Sequence, residues 1–195
     1  MVALLFLKFL VSVSFFRYNL AMNLAKHRLV YADKLRRTTL GIIRKGDLVS
    51  LAMKKRGFGA GKWNFPGGKT EEDTNESPED CIVRETLDEF GTKLGKVNLV
   101  AILYFYFSDV DPEKRWNQQC YVYEAEKWEG EPVESEEMAP NWWKRSNIPY
   151  HEMWQEDESW IEPVLDGKIL TGYFLFTSKD ECLEKEIIIG RIIDE

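Results

Sequence analysis

Hydrophobic and polar positions become regular once the chain leaves its apolar N-terminal segment. Residues 38–44 and 47–53 form two short apolar runs of the kind found in strands, and Lys45 and Gly46 between them favour a tight turn. We therefore predict a β-hairpin. The next stretch, residues 54–69, contains five glycines and one proline. It is predicted to be a loop, because glycine adopts backbone conformations that other residues resist.

A helical pattern follows the loop, starting with Ser77 as the N-cap and ending at Gly91. Proline is tolerated at the first helical position, an acid at the third completes a capping box, and glycine is common just beyond a helix. Apolar side chains share one side of the helix and acids another: Ile82, Val83, Leu87 and Phe90 against Glu85, Asp88 and Glu89. The pattern predicts an amphipathic helix with an anionic stripe.

Further apolar and alternating runs predict more strands and a second helix. The strands are expected at residues 97–107, 118–126, 142–145, 169–176 and 186–193. The second helix is expected to begin with Ser159 as its cap, to run through Asp166 and to end at Gly167. Strands interspersed with helices are typical of the α/β class. We predict a mixed β-sheet sandwiched between α-helices.

The N-terminal segment is apolar and basic, with no acidic residue before Asp33. A membrane span needs about 20 apolar residues, and Lys8 interrupts this run. A basic segment without acids is typical of a mitochondrial presequence, while translation from Met22 is an alternative that leaves the preceding residues outside the fold. We therefore divide the chain into an N-terminal extension with a candidate targeting segment (1–37) and one globular domain (38–195).

The net charge of −7 and the isoelectric point near 5.1 argue against binding of polymeric nucleic acid. Such binding draws most of its affinity from a surface of lysines and arginines. A small polyanion remains open as a ligand if a metal ion intervenes. The three cysteines, Cys81, Cys120 and Cys182, are widely spaced and form no C-x-x-C pair, so we expect packing residues in a reducing compartment.

The acidic stripe of the first predicted helix is the strongest chemical signal. Glu85, Asp88 and Glu89 repel one another on adjacent turns, and a divalent cation would relieve that repulsion. Mg²⁺ prefers oxygen ligands and typically joins one or two carboxylates to substrate phosphates. The preceding glycines would let the backbone approach the same ion and phosphate chain. A solvated acidic helix face is the alternative, and it is the commoner reason for this spacing.

Residues 68–92, which read GKTEEDTNESPEDCIVRETLDEFGT, resemble the signature of the Nudix family. That signature is G-x5-E-x7-R-E-U-x-E-E-x-G-U, where U is a bulky aliphatic residue. Seven residues separate Glu76 from Arg84, which preserves the register of the helical half. Three features depart from the signature: two extra residues before Glu76, Thr86 and Thr92 in place of aliphatics, and Asp88 in place of glutamate.

The resemblance implies a metal-dependent hydrolase of the Nudix fold. It implies Mg²⁺, with Mn²⁺ as a substitute, held by Gly67, Glu85, Asp88, Glu89 and Glu137. Glu85 and Glu89 would also activate water, and Arg84 would orient a glutamate through charge-assisted hydrogen bonds. The shorter Asp88 would reach the metal through water. Whether Glu89 or another carboxylate is the general base stays open.

The resemblance extends over residues 38–176 to the branch of the family that hydrolyses oxidized purine nucleoside triphosphates. It is carried by MKKRGFGAGKWN (53–64), PVESEEM (132–138), IPYHEMW (148–154) and TGYFLF (171–176). It implies that Asn64, Glu156 and Asp157 read the purine edge, that Trp154 stacks on the base, and that the pocket is also lined by Thr39, Lys54, Phe58, Phe105 and Trp160. The acidic pair 156–157 could accept from ring N–H groups, or donate if one member is protonated through its neighbour's charge. On composition alone, the two tryptophans are more readily core residues.

The function implied by the resemblance is a magnesium-dependent pyrophosphohydrolase that sanitises the nucleotide pool. Its substrates would be oxidized purine nucleoside triphosphates such as 8-oxo-dGTP and 2-oxo-dATP, and its products a monophosphate and pyrophosphate. The alternatives are a Nudix hydrolase of another nucleoside diphosphate derivative and a nucleotide-binding regulator without turnover. We expect a monomer in the cytoplasm, with the mitochondrial matrix and the nucleus as alternative locations.

Overall fold

The computed structural model describes residues 23–195, so the targeting prediction for the apolar start of the chain lies outside the described residues. The described part contains the helices α1 (Leu24–Tyr31), α2 (Pro78–Phe90) and α3 (Asp157–Leu165). Its strands are β1 (Arg36–Ile42), β2 (Arg44–Lys45), β3 (Leu48–Lys54), β4 (Trp63–Asn64), β5 (Lys93–Leu94), β6 (Val97–Phe107), β7 (Gln118–Ala125), β8 (Trp128–Glu129), β9 (Met138–Lys144), β10 (Leu170–Phe176) and β11 (Cys182–Ile189).

A five-stranded mixed sheet forms the centre of the molecule, in the order β1-β7-β6-β10-β11. β1 and β7 run parallel, as do β6 and β10, and the other two pairs are antiparallel. Along β6, Ala101 and Leu103 face one cluster of buried side chains while Ile102 and Tyr104 face the other. Helices α1 and α2 pack on the second of these faces, and α3 packs on the first. The prediction of a mixed sheet between helices is confirmed.

The predicted hairpin is only partly correct, because the first of its two strands divides between two sheets. β2 and β3 pair around the turn at Gly46, whose φ is 63°. β1, however, pairs with β7 over its whole length. On its other edge β3 pairs with β9, seven residues long where residues 142–145 were expected. Pairing with distant strands decides where β1 lies, and no local pattern encodes it.

Several other boundaries differ from the prediction. The glycine-rich loop contains the two-residue strand β4, paired with β3. Strand β11 starts four residues earlier than expected, at Cys182, and ends before Gly190. Helix α3 starts at Asp157, so Ser159 is not its cap. Ser159 instead donates to the carbonyl of Glu156 at 2.6 Å from inside the first turn.

Helix α2 has the predicted ends. The Ser77 hydroxyl accepts from the Asp80 N–H at 3.1 Å, and Gly91, with φ of 64°, donates to the Leu87 carbonyl at 2.9 Å. The buried side of the helix differs from the prediction, because Leu87 is 48% exposed while Thr86 and Glu89 are buried. The cause is the close approach of β1, where a Cβ on Gly41 would lie 3.2 Å from the Thr86 hydroxyl. The absence of a side chain on Gly41 lets β1 approach the helix at Ile82 and Thr86.

Helix α1 and the C-terminal tail cover a tyrosine-rich part of the sheet. Leu24, His27 and Tyr31 of α1 are buried. The Arg28 guanidinium lies 3.7 Å from the ring centre of Tyr173 and binds Glu195 at 2.5 Å. Within residues 23–195, no helix has the length and apolar character needed to cross a membrane. The boundary between an extension and the domain stays a prediction, but the second half of residues 1–37 contributes a helix that packs on the sheet.

The tail residue Asp194 is a testable contributor to stability. Its carboxylate accepts from the Gln119 amide at 2.6 Å and from the Tyr121 hydroxyl at 2.9 Å, and both donor residues are buried. Replacing Asp194 by Ala leaves these donors without that acceptor, so we expect a loss of roughly 1–2 kcal/mol in the free energy of unfolding. Urea denaturation measures it. Glu181→Ala, which removes an exposed carboxylate with no hydrogen bond within residues 23–195, is the control and should change stability by less than about 0.5 kcal/mol.

Candidate active site

Glu89 of α2 contacts the backbone of Gly67 at the buried centre of the site. Glu89 is 5% exposed and accepts from the Gly67 N–H at 2.9 Å. The Lys54 ammonium lies 3.4 Å from its other oxygen. Burial raises the pKa of Glu89, and the Gly67 N–H and Lys54 oppose that shift. Gly67 has φ of 151°, and a Cβ there would lie 2.0 Å from the Thr39 carbonyl oxygen, so only glycine fits.

Glu85 lies one turn earlier and fills the space beside Gly68, where a Cβ would come within 2.3 Å of its carboxyl carbon. Arg84 donates to Glu85 at 2.8 Å and to both oxygens of Glu76 at 2.8 and 2.9 Å. Its hydrogen bonds hold the pKa of Glu76 below the usual range. Arg84 thus holds two glutamates by charge-assisted hydrogen bonds, and its role in catalysis stays a prediction.

The remaining predicted metal ligands are less closely gathered. Glu137 binds Arg56 at 2.6 Å and lies 3.9 Å from Lys54, so Lys54 stands between Glu137 and Glu89. The Asp88 side chain is 65% exposed and comes no nearer than 4.0 Å to Arg84. Across residues 23–195, no three side chains of His, Cys, Asp or Glu are grouped closely enough to hold a metal as they stand. Lysine and arginine neutralise these carboxylates in the present arrangement.

Trp154 lies in an aromatic cluster that the glycine-rich loop covers. The Phe58 ring stacks on Trp154 with centres 5.0 Å apart and an angle of 22° between planes. Phe58 also meets Trp116 edge-on, with ring centres 5.2 Å apart, and Trp116 meets Phe107 in the same way at 5.3 Å. A Cβ on Gly59 would lie 3.2 Å from the Trp154 ring, so a glycine lets the loop pass this close. The cluster supplies flat surfaces suited to a base.

Asp157 is buried beside Trp154. Its carboxylate accepts from the Trp154 N–H at 3.1 Å and from the Trp160 indole at 3.0 Å. Burial raises its pKa to about 7. Protonation through the charge of Glu156, which the sequence led us to expect, is wrong as the cause, because Glu156 pairs with Lys185 at 2.5 Å instead.

The other predicted pocket residues take different positions. The Asn64 side-chain oxygen accepts from the Phe65 N–H at 2.8 Å. Thr39 and Trp160 are each 1% exposed, so they support the site from within the core. The Thr39 hydroxyl lies 3.4 Å from the Cys81 sulfur. Phe105 is half-buried and stacks on Phe174, with ring centres 5.5 Å apart.

Sequence reasoning missed four residues at this pocket: Phe107, Trp116, Lys62 and Asp180. Phe107 is the last residue of β6, and Trp116 lies in the connection between β6 and β7. The presence of aromatic side chains at this end of the strand pair was the signal that could have indicated them. Lys62 lies within the quoted stretch GAGKWN. Asp180 had no signal, because a single acid in a turn is ordinary.

A cleft of about 600 Å³ lies elsewhere, between the segment that precedes β1 and residues 70–76. It is lined by charged groups of both signs, including Lys34, Arg37 and Arg115 with Glu71 and Glu72. Glu76, the partner of Arg84, lines this cleft, but Glu85, Glu89 and Trp154 do not, so the cleft adjoins the candidate site without containing its centre.

Comparison with known proteins agrees with this geometry. A profile of the NUDIX domain matches residues 34–163. The chain is 36% identical over 149 residues to the oxidized purine nucleoside triphosphate hydrolase of Danio rerio, covering 76% of this chain and 92% of that protein. It is 37% identical over 145 residues to the protein of the same name from Mus musculus, covering 74% and 89% respectively.

Among solved structures, the chain is similar to the MutT protein of Bacillus halodurans, with a TM-score of 0.67 and 28% identity. That match covers 78% of this chain and 97% of the other. The family profile spans both the acidic helix and the residues of the aromatic cluster. On these grounds the chain belongs to the Nudix family of hydrolases.

Proposed function

We propose that this chain hydrolyses oxidized purine nucleoside triphosphates, including 8-oxo-dGTP and 2-oxo-dATP, to a monophosphate and pyrophosphate. One observation carries the proposal: a single loop joins a phosphate-binding half to a base-binding half. Its first residue, Lys54, contacts Glu89, and its middle residue, Phe58, stacks on Trp154. Its end, Gly67 and the following glycine, lies against the carboxylates of α2. The names of the animal relatives point to the same substrates.

The base half can recognise more than one purine edge. Trp154 offers a ring face, and base stacking of this kind contributes about 1–3 kcal/mol per base. Asn64 carries both a donor and an acceptor. Because the pKa of Asp157 is raised to about 7, its carboxyl group can accept a hydrogen bond when ionised and donate one when protonated. That dual capacity suits purines whose oxidation changes which ring atoms carry hydrogen.

The phosphate half fits a divalent cation, for which we propose Mg²⁺ with Mn²⁺ as a substitute. The lack of a Cβ on Gly68 lets the backbone approach the Glu85 carboxylate closely, and the ligands available are oxygens. Glu85 and Glu89 would hold the ion, assisted by the Gly67 carbonyl and Glu137; a role for Asp88 through water stays a prediction. When bound, the ion neutralises phosphate charge and lowers the pKa of a bound water.

The chain's own residues prepare the reaction around that ion. Arg84 fixes the orientation of Glu85 from one side, with Glu76 as its anchor on the other. Lys54 lies between Glu89 and Glu137. There its ammonium can exchange these carboxylate partners for a phosphate oxygen of the arriving substrate. The low exposure of Glu89 keeps its carboxylate from bulk water. The monomeric state and the location in cytoplasm, matrix or nucleus stay predictions.

The proposed activity can be tested with purified protein and Mg²⁺. We expect monophosphate release from 8-oxo-dGTP to be faster than from dGTP or NADH. Glu89→Gln should lower kcat by about 10²-fold or more, since it removes a carboxylate from the centre of the site. Glu79→Gln, which changes an exposed acid in the first turn of the same helix, is the matched control and should leave kcat unchanged. Binding of 8-oxo-dGTP without turnover, or a preference for NADH, contradicts the proposal.

The raised pKa of Asp157 predicts a pH-dependent stability. A carboxyl group with a folded pKa of about 7 retains its proton in the folded state between about pH 4 and 7, while the unfolded chain has lost it. The folded state is therefore stabilised most at low pH, and this contribution declines as the pH rises through 7. Asn at this position does not titrate.

Denaturation of the wild type and Asp157→Asn at pH 5 and pH 8 measures the effect. Other titrating groups cancel in the difference between the two proteins. We expect the wild type to lose roughly 1–3 kcal/mol relative to the variant between these pH values. A difference that does not change with pH, or one of opposite sign, shows that the carboxyl group is ionised throughout.

A further inference from the structure

The base pocket is assembled from three segments that are distant in sequence. They are the first part of the glycine-rich loop (54–62), the segment 153–157 that carries Trp154 and leads into α3 at Asp157, and the turn between β10 and β11 (177–181). A hydrogen bond links the second segment to the residue that follows the third, because the Cys182 N–H donates to the Gln155 side chain at 2.7 Å. One further side chain contacts all three.

That side chain is Lys62, within the glycine-rich loop. Its ammonium donates to Asp180 at 2.6 Å and to the Met153 carbonyl at 3.0 Å, and it lies 4.9 Å from the ring centre of Trp154. The side chains of Lys62 and Asp180 are 28% and 22% exposed, so the pair is partly shielded from water. Lys62 thereby ties the loop to the edge of the base pocket.

Asp180 is held in an unusual position for this contact. Its φ is 64°, in the left-handed region that few residues other than glycine, asparagine and aspartate adopt. Its Oδ2 binds Lys62, while its Oδ1 is buried and has no hydrogen-bond partner within the described residues. A buried carboxylate oxygen without a partner is costly, which makes an ordinary surface ion pair a poor explanation.

We propose that the ion pair of Lys62 and Asp180 is a positioning device for the base pocket, locking the glycine-rich loop and the β10–β11 turn around Trp154 and Asp157. This inference rests on the proposed function in so far as the pocket receives a purine. The pair holds the loop that brings Phe58 onto Trp154, and it places two opposite charges beside the Asp157 carboxyl. Neither residue touches the phosphate half, so the pair affects binding of the base more than the chemical step.

Lys62 and Asp180 have opposite effects on the pKa of the Asp157 carboxyl group. The groups that face Asp157 are the indole of Trp160 on its own helix, Lys62 on the loop, Asp180 on the turn and the thiol of Cys120 on β7. Asp180 raises the pKa of Asp157, and Lys62 lowers it. Loss of one partner therefore shifts this pKa in the opposite direction from loss of the other.

Kinetics test the positioning role. Lys62→Met and Asp180→Asn should each raise KM for 8-oxo-dGTP roughly fivefold and change kcat by less than about twofold. Lys62→Arg, which retains the charge and the donor, should keep KM near the wild-type value. Lys96→Met is the matched control, because Lys96 binds Glu126 at 2.7 Å on an exposed surface remote from the pocket. Wild-type KM in both variants, or equal effects on KM and kcat, overturns the proposal.

A second measurement needs no nucleotide and so separates this proposal from the proposed function. The Asp157 carboxyl group is titrated by carbon-13 NMR in the wild type and both variants. We expect Lys62→Met to raise its pKa and Asp180→Asn to lower it, with faster amide hydrogen exchange over residues 57–62 in both. Shifts in the same direction, or none, overturn the positioning role. If the wild type fails to hydrolyse 8-oxo-dGTP while the opposite shifts appear, only the proposed function fails.

Discussion

The site depends on the contact between two consecutive glycines and two glutamates of one helix. Gly67 donates to Glu89, and Gly68 lies where a Cβ would collide with Glu85. A buried carboxylate is tolerated only when hydrogen bonds or opposite charges compensate it, and here the Gly67 N–H and Lys54 do so. The loop cannot move away from α2 without removing that compensation. Its path is therefore fixed at one end by the acidic helix.

The middle of the same loop is fixed by aromatic and ionic contacts. Phe58 stacks on Trp154, and Lys62 binds the β10–β11 turn. Because the loop is held at Trp154 by Phe58 and at Glu89 by Gly67, it sets the distance between the base half and the phosphate half of the site. The favourable interactions are of different kinds: hydrogen bonds to a buried carboxylate on one side, ring stacking and a shielded ion pair on the other. Substrates with a base and a phosphate chain of matching separation span both halves.

The sequence was sufficient to predict features that depend only on residues close together along the chain. Ser77 and Gly91 defined both ends of α2 because a cap depends on residues within one turn. The pairing of β1 with β7 was not predictable in this way, since partners far apart in sequence determine it. The burial of Glu89 rather than Leu87 likewise follows from the approach of the loop and β1. For the base pocket, the resemblance gave Trp154 and its neighbours, but Asp180 is defined only by the turn that holds it.

The position of helix α1 determines which N-terminal start or cleavage sites leave the helix in the protein. A polypeptide initiated at Met22 would contain all of α1, including its cap at Asn23, whose side chain accepts from the Lys26 N–H. Proteolytic removal of everything up to residue 37 would instead discard the helix. The ring of Tyr173 would then lose the guanidinium of Arg28, and the carboxylate of Glu195 would lose its cation. Cleavage between Tyr31 and residue 37 would therefore uncover the part of the sheet on which the helix packs, whereas cleavage before Asn23 would leave it covered.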